Sequence, residues 1–135
     1  MITEKSFLIF DEDNKYISYH LTEPIKIFNC KVDMSECEFN ISKKLCWRDI
    51  LPVLTDYLEW LALCENELKC YFASKLEENL PKDWFRKIEV YSASITFLTL
   101  DDFGASIAFG ENIFQDHTIE LEFEQKEIVN DILIG

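Results

Sequence analysis

Between Asp49 and Leu76 the apolar residues of this chain recur at steps of three and four, while on either side of that stretch they alternate. Leu51, Leu54, Leu58, Leu61 and Ala62 fall on one side of a 3.6-residue turn, and Leu68, Tyr71, Phe72 and Leu76 continue the stripe. Alternating segments instead place successive side chains on opposite faces of a sheet. Strands, then helix, then strands again predict an α+β domain: a mostly antiparallel sheet with one long or two consecutive amphipathic helices packed on one face. The periodicity leaves open whether residues 64–67 divide the helix. Asp49 is expected to cap it, with Pro52 in the first turn, where an amide has no intrahelical partner. Asn79-Leu80-Pro81 ends it.

Around the helix the strands can be placed from alternation and turn residues. Residues 6–10 and 15–21 flank a polar turn at 11–14, a hairpin with an acidic tip. Pro24 precedes a third strand over 25–32. Residues 94–100 and 105–109 flank Asp101-Asp102-Phe103-Gly104, a four-residue connection predicted to hold Gly104 at positive φ. A second turn over 110–116 leads to Thr118–Glu124, and the last strand covers 128–134. With only 3 glycines, 3 prolines, no linker and no repeat in 135 residues, a single domain over 1–135 is expected. A hydrophobic content of 48% supplies its core without staples.

Charge narrows the choice of partners. The chain has 26 acidic and 13 basic residues, a net of −13, which disfavours autonomous binding to nucleic acids or anionic membranes. Residues 99–135 alone hold 9 acids against one base, Lys126, a net of −8. Within Thr118–Glu124, Ile119, Leu121 and Phe123 take one face and Glu120, Glu122 and Glu124 the other, with carboxylates about 7 Å apart. Solvent screening reduces their repulsion to roughly a few tenths of a kcal/mol per pair, so a strand tolerates the row. The row is either a solvated face that discourages edge pairing or a docking surface for a basic protein. Asp101, Asp102, Glu111, Asp116, Glu120, Glu122 and Glu124 are therefore the candidate partner contacts.

Catalytic signatures are missing from the sequence. The two histidines, His20 and His117, accompany no Gly-x-Ser-x-Gly, His-Glu-x-x-His or Cys-His pattern, and Asp116 and His117 point to opposite faces if both lie on a strand. Asp11-Glu12-Asp13-Asn14 starts like a calcium loop but lacks its glycine and final glutamate. Three glycines, at 104, 110 and 135, build no phosphate-cradling loop. The five cysteines, Cys30, Cys37, Cys46, Cys64 and Cys70, form no Cys-x-x-Cys, which argues against zinc and for a reducing cytosol. Cys70 stands beside a basic residue, Lys69. No enzyme activity, metal or cofactor is expected. The apolar run at 7–10 is too short for a signal peptide and no run is long enough to span a membrane, so a cytoplasmic location is expected. Trp60 is expected to be half-buried on the helix, while Trp84 either packs a loop or serves as an interface anchor.

The second half carries a resemblance. Tyr71-x-Ala73-x-x-Leu76, Trp84, and the strand through Ile95 and Phe97 resemble a family of small bacterial proteins whose chains end in an aromatic-Gly-x-Asn-x-Phe-x-x-His-x-Ile pattern. The matching residues are Phe109, Gly110, Asn112, Phe114, His117 and Ile119, followed by Ile134-Gly135. Gln115-Asp116 stands where that family usually has Trp-Gly before the histidine. Such proteins are similar in kind to immunity proteins of polymorphic-toxin and contact-dependent growth inhibition systems. The resemblance implies a cytoplasmic inhibitor that binds a cognate toxin C-terminal domain, with a basic nuclease the toxin its charge best suits. The alternative is a small-ligand or metal-binding module, or an enzyme, with its site near His117.

Overall fold

The computed structural model describes residues 2–73, 88–110 and 118–134, and it is an α+β fold. Its strands are β1 (Phe7–Glu12), β2 (Tyr16–Leu21), β3 (Ile25–Ile27), β4 (Cys30–Val32), β5 (Cys37–Ser42), β6 (Glu89–Phe97), β7 (Phe103–Gly110), β8 (Thr118–Glu124) and β9 (Glu127–Ile134). Helices α1 (Trp47–Leu63) and α2 (Glu65–Ala73) lie between β5 and β6 in sequence. Seven strands form one sheet in the order β1-β2-β5-β6-β7-β8-β9, and β3 with β4 forms a separate hairpin. Every pair in the large sheet is antiparallel except β5 with β6. Parallel neighbours need a long crossover, and the helical segment supplies it.

Alternation decides which side of the sheet faces the helices. Tyr19, Phe39, Ile41, Ile95, Phe97, Ile107, Phe109, Leu121 and Phe123 are all buried. Against them α1 sets Ile50, Leu54, Tyr57, Leu58 and Leu61; Leu54, Leu58 and Leu61 belong to the expected stripe, while Leu51 and Ala62 are only half-buried and Ile50 and Tyr57 take the buried positions beside it. Tyr57 meets Phe103 edge-on at 5.0 Å between ring centroids, and Trp60, half-buried as expected, meets Phe123 at 5.8 Å. At one end Trp47 packs on Phe7 and Tyr19; at the other, Phe72 of α2 meets Phe109. Each fully buried leucine, isoleucine or phenylalanine among these contributes about 1.5–3 kcal/mol by leaving water.

The helical segment breaks at Cys64, whose carbonyl still receives the Leu68 amide at 3.2 Å. The helix starts earlier than expected. Cys46 is the N-cap, Asp49 lies in the first turn and accepts from the Cys46 thiol at 2.9 Å, and Pro52 falls one turn further in, without an amide to donate.

Three strand expectations need correction. Residues 25–32 are not one strand but a two-residue hairpin, turning at Phe28 and Asn29 with φ of 54° and 61°. Gly104 lies inside β7, and no described glycine has positive φ. What excludes a side chain there is close approach, since a Cβ would collide with the carbonyl oxygen of Phe123. Finally β5, a central strand, has no counterpart among the strands expected from the sequence. Its alternation of Cys37, Phe39 and Ile41 with Glu38 and Asn40 is too short to stand out from the polar residues around it.

Candidate functional site

Among the described residues neither α-helix covers the second face of the large sheet, and register fixes what this face displays. One cross-strand row runs Glu38, Ser94, Ser106, Glu122, Asn130. The next runs Ser18, Asn40, Thr96, Gly104, Glu124, Glu127. The centre of the face, on β6 and β7, thus carries only small side chains, and carboxylates stand on both sides.

Hydroxyls and one amide hold part of this surface in place. Asn40 accepts from the Ser18 hydroxyl at 2.6 Å and donates to Ser94 Oγ at 3.2 Å. Glu38 Oε1 accepts from both Asn40 Nδ2 and Ser94 Oγ at 3.3 Å. Ser106 Oγ donates to Glu120 Oε1 at 2.8 Å. His20, beside this network, stacks on Phe10 at 3.9 Å and its Nδ1–H donates to the Cys37 carbonyl at 3.0 Å. The sheet edge thus fixes the ring.

At one end of the sheet the loops β6–β7 and β8–β9 come together. Gln125, at φ 50°, donates its amide to the Phe103 carbonyl at 2.9 Å and its side chain to the Asp101 carbonyl at 2.5 Å. The Asp102 carbonyl receives the amides of Leu98 and Thr99 at 3.0 and 3.1 Å. With their backbone committed in this way, Asp101 and Asp102 expose their side chains beside Glu124 and Glu127, around a depression of about 500 Å³. Glu124 and Glu127 are direct cross-strand partners, a like-charge juxtaposition that costs stability. Lys126, the nearest cation in sequence, turns to the helical layer and pairs with Asp56 of α1 at 3.0 Å. Among the described residues no lysine or arginine pairs with Asp101, Asp102, Glu122, Glu124 or Glu127.

Of the seven expected contacts, the fold therefore brings Asp101, Asp102 and Glu124 into one cluster and leads from it along β8 to Glu122 and Glu120. Glu111 and Asp116 lie outside the described residues, as do His117 and Trp84. Edge protection does not explain the glutamate row, because β8 sits between β7 and β9; the sheet edges are β1 and β9. Glu38 and Glu127 were missed, although each belongs to an alternating or turn-flanking pattern visible in the sequence. A broader feature was also missed: none of the seven strands of the sheet carries a lysine or arginine.

The thiols have a different character. Burial pushes Cys37 and Cys64 up to about 12, and raises Cys30 as well, so none of the three is a ready nucleophile. Lys69 pairs with Glu65 at 2.8 Å rather than serving the exposed Cys70. In the acidic turn, Asp13 Oδ1 accepts the amides of Lys15 and Tyr16, both at 2.7 Å, which holds its carboxyl below the usual range. Among the described residues no group of three or more His, Cys, Asp or Glu is placed to hold a metal ion. No described helix is long and apolar enough to cross a membrane. No protein-family model, curated protein or solved structure matches this chain.

Proposed function

We propose that this protein is an immunity protein, a cytoplasmic inhibitor that binds the C-terminal domain of a cognate bacterial toxin through the acidic end and open face of its sheet. The observation that carries the reading is the uncompensated charge where β8 turns into β9. Glu124 opposes Glu127, Asp101 and Asp102 stand beside them, and Lys126, which also lines this depression, has its ammonium paired with Asp56 of α1. A fold gains nothing from that arrangement by itself. A basic partner relieves it, and complementary fields speed the encounter and discriminate among partners. A toxin nuclease fits this chemistry because its cleft is cationic for phosphate binding. Five free thiols suit a reducing compartment.

The test is growth rescue. The toxin domain encoded beside this gene is expressed from one promoter and this chain from another. Restored growth with the native sequence, lost when Asp101, Asp102, Glu124 and Glu127 are changed to lysine, is the expected result. Failure of the native chain to rescue, or rescue indifferent to the reversals, contradicts the reading.

A further inference from the structure

The open face has a shape as well as a charge. On β6 and β7 it carries Ser94, Thr96, Gly104, Ser106 and Ala108, side chains too small to fill the layer that a helix occupies on the opposite side. Taller residues border this floor, Glu38 and His20 on one side and the β8 glutamates on the other. Two adjoining depressions, of about 300 and 400 Å³, follow it along the strands. From β5 to β8 there are three strand spacings, about 14 Å, against about 10–12 Å for an α-helix with its side chains.

We propose that this trough seats an α-helix of the partner, with a lysine- or arginine-bearing flank turned to β8. The inference rests on the reading that the partner is basic, and adds the structural element it presents. Three considerations select a helix. A sheet face offers no ladder of amides and carbonyls, so an extended segment lying on it would exchange water for nothing, whereas a helix satisfies its own backbone. The floor of serine, glycine and alanine allows close approach of a helix axis. The β8 wall carries three glutamates against Glu38 beside His20 on the other, and the Ser106–Glu120 and Ser94–Glu38 hydrogen bonds hold two of these carboxylates in position before binding.

The experiment uses two alanine-based peptides of about 20 residues, long enough to be helical alone. One places its lysines along a single flank; its isomer spreads the same lysines around the helix. Each is titrated into the full ¹⁵N-labelled chain. The single-flank peptide is expected to bind several-fold more tightly and to shift the amides of Ser94, Thr96, Gly104 and Ser106. Filling the floor with Ser106→Trp, or with Ser94→Trp should the first variant lose its dispersed spectrum, is expected to weaken binding about tenfold or more, as a block at a contact centre does. Equal binding of both peptides, no binding, shifts confined to Asp101, Asp102, Glu124 and Glu127, or indifference to the tryptophan each overturns the proposal. A Ser106→Trp chain that still rescues growth also overturns the trough while leaving the immunity reading intact. Trough binding by a chain that rescues nothing refutes the immunity reading alone.

Discussion

The backbone amide of Phe28 donates to the carbonyl of Leu61 at 2.9 Å, and the next amide, of Asn29, donates to Ala62 at 2.8 Å. The last carbonyls of a helix have no partner within it, so the turn of the β3–β4 hairpin serves as the C-terminal cap of α1. The turn holds a phenylalanine at φ 54°, a conformation that costs about 1–3 kcal/mol in a non-glycine residue. Burial of the ring against Phe109 and Phe123 offsets it. Phe28→Ala is therefore expected to lose about 3–5 kcal/mol in urea unfolding. A loss below 1 kcal/mol would mean that the hairpin is not docked.

Tyr57 presents the opposite situation. Its ring is fully packed, but its hydroxyl is buried without a hydrogen-bond partner among the described residues, and burial raises its pKa. Tyr57→Phe keeps the ring contacts and removes an unsatisfied group that costs about 1–3 kcal/mol. The variant should unfold at higher denaturant, and a lower midpoint would show that the hydroxyl has a partner.

The buried thiols set an alkaline limit. Cys37 and Cys64 rise from 9.0 in the unfolded chain to about 12 in the fold, because burial disfavours the thiolate. The neutral form is the one the fold prefers. Their contribution to stability is therefore complete below pH 9 and lost as pH climbs from 9 to about 12. Unfolding midpoints should fall across that window, and replacing both cysteines by alanine should flatten part of the slope. At a pH below 9, iodoacetamide should modify Cys46 and Cys70 in the native protein and spare Cys37 and Cys64.

Two glycines in the same strand should respond differently to alanine. At Gly104 the added Cβ meets the Phe123 carbonyl of β8, which cannot move without breaking the ladder; at Gly110 it meets the hydroxyl end of Tyr91, which can rotate away. Gly104→Ala is expected to cost about 1–3 kcal/mol and Gly110→Ala much less. Equal losses would contradict this account of the β7–β8 contact.

Sequence periodicity was enough for the layers. The three-and-four spacing of Leu51, Leu54, Leu58 and Leu61 located the helix, and the alternation in Thr118–Glu124 assigned each side chain of β8 to its face. Local conformation was harder. Phe28 at positive φ is set by a tertiary contact with α1, which no neighbouring residue signals, and Gly104 is required by the strand beside it rather than by a turn. The candidate site was legible where charge density marked it, at Asp101, Asp102 and Glu124. Glu38 joins the surface only through register, since β5 is brought beside β6 by the crossover, whereas Glu127 follows Glu124 across a two-residue turn. Lys126 stands beside Glu124 and Glu127 in sequence, yet its ammonium pairs with Asp56 of α1.

The central claim is that the acidic end of the sheet exists for a basic partner. Its most direct test is the rate at which the chain and a double variant, Glu124→Lys with Glu127→Lys, associate with the neighbouring toxin domain, measured at low and at physiological salt. The account predicts association that slows with salt for the native chain. For the variant it predicts association about tenfold slower at low salt, with a flattened salt dependence. The two lysines oppose one another across the strands as the glutamates do, so the variant's unfolding midpoint is expected to stay near that of the native chain, and a denaturation curve for each protein separates lost contacts from misfolding. Equal rates and equal salt slopes for the two proteins would contradict it.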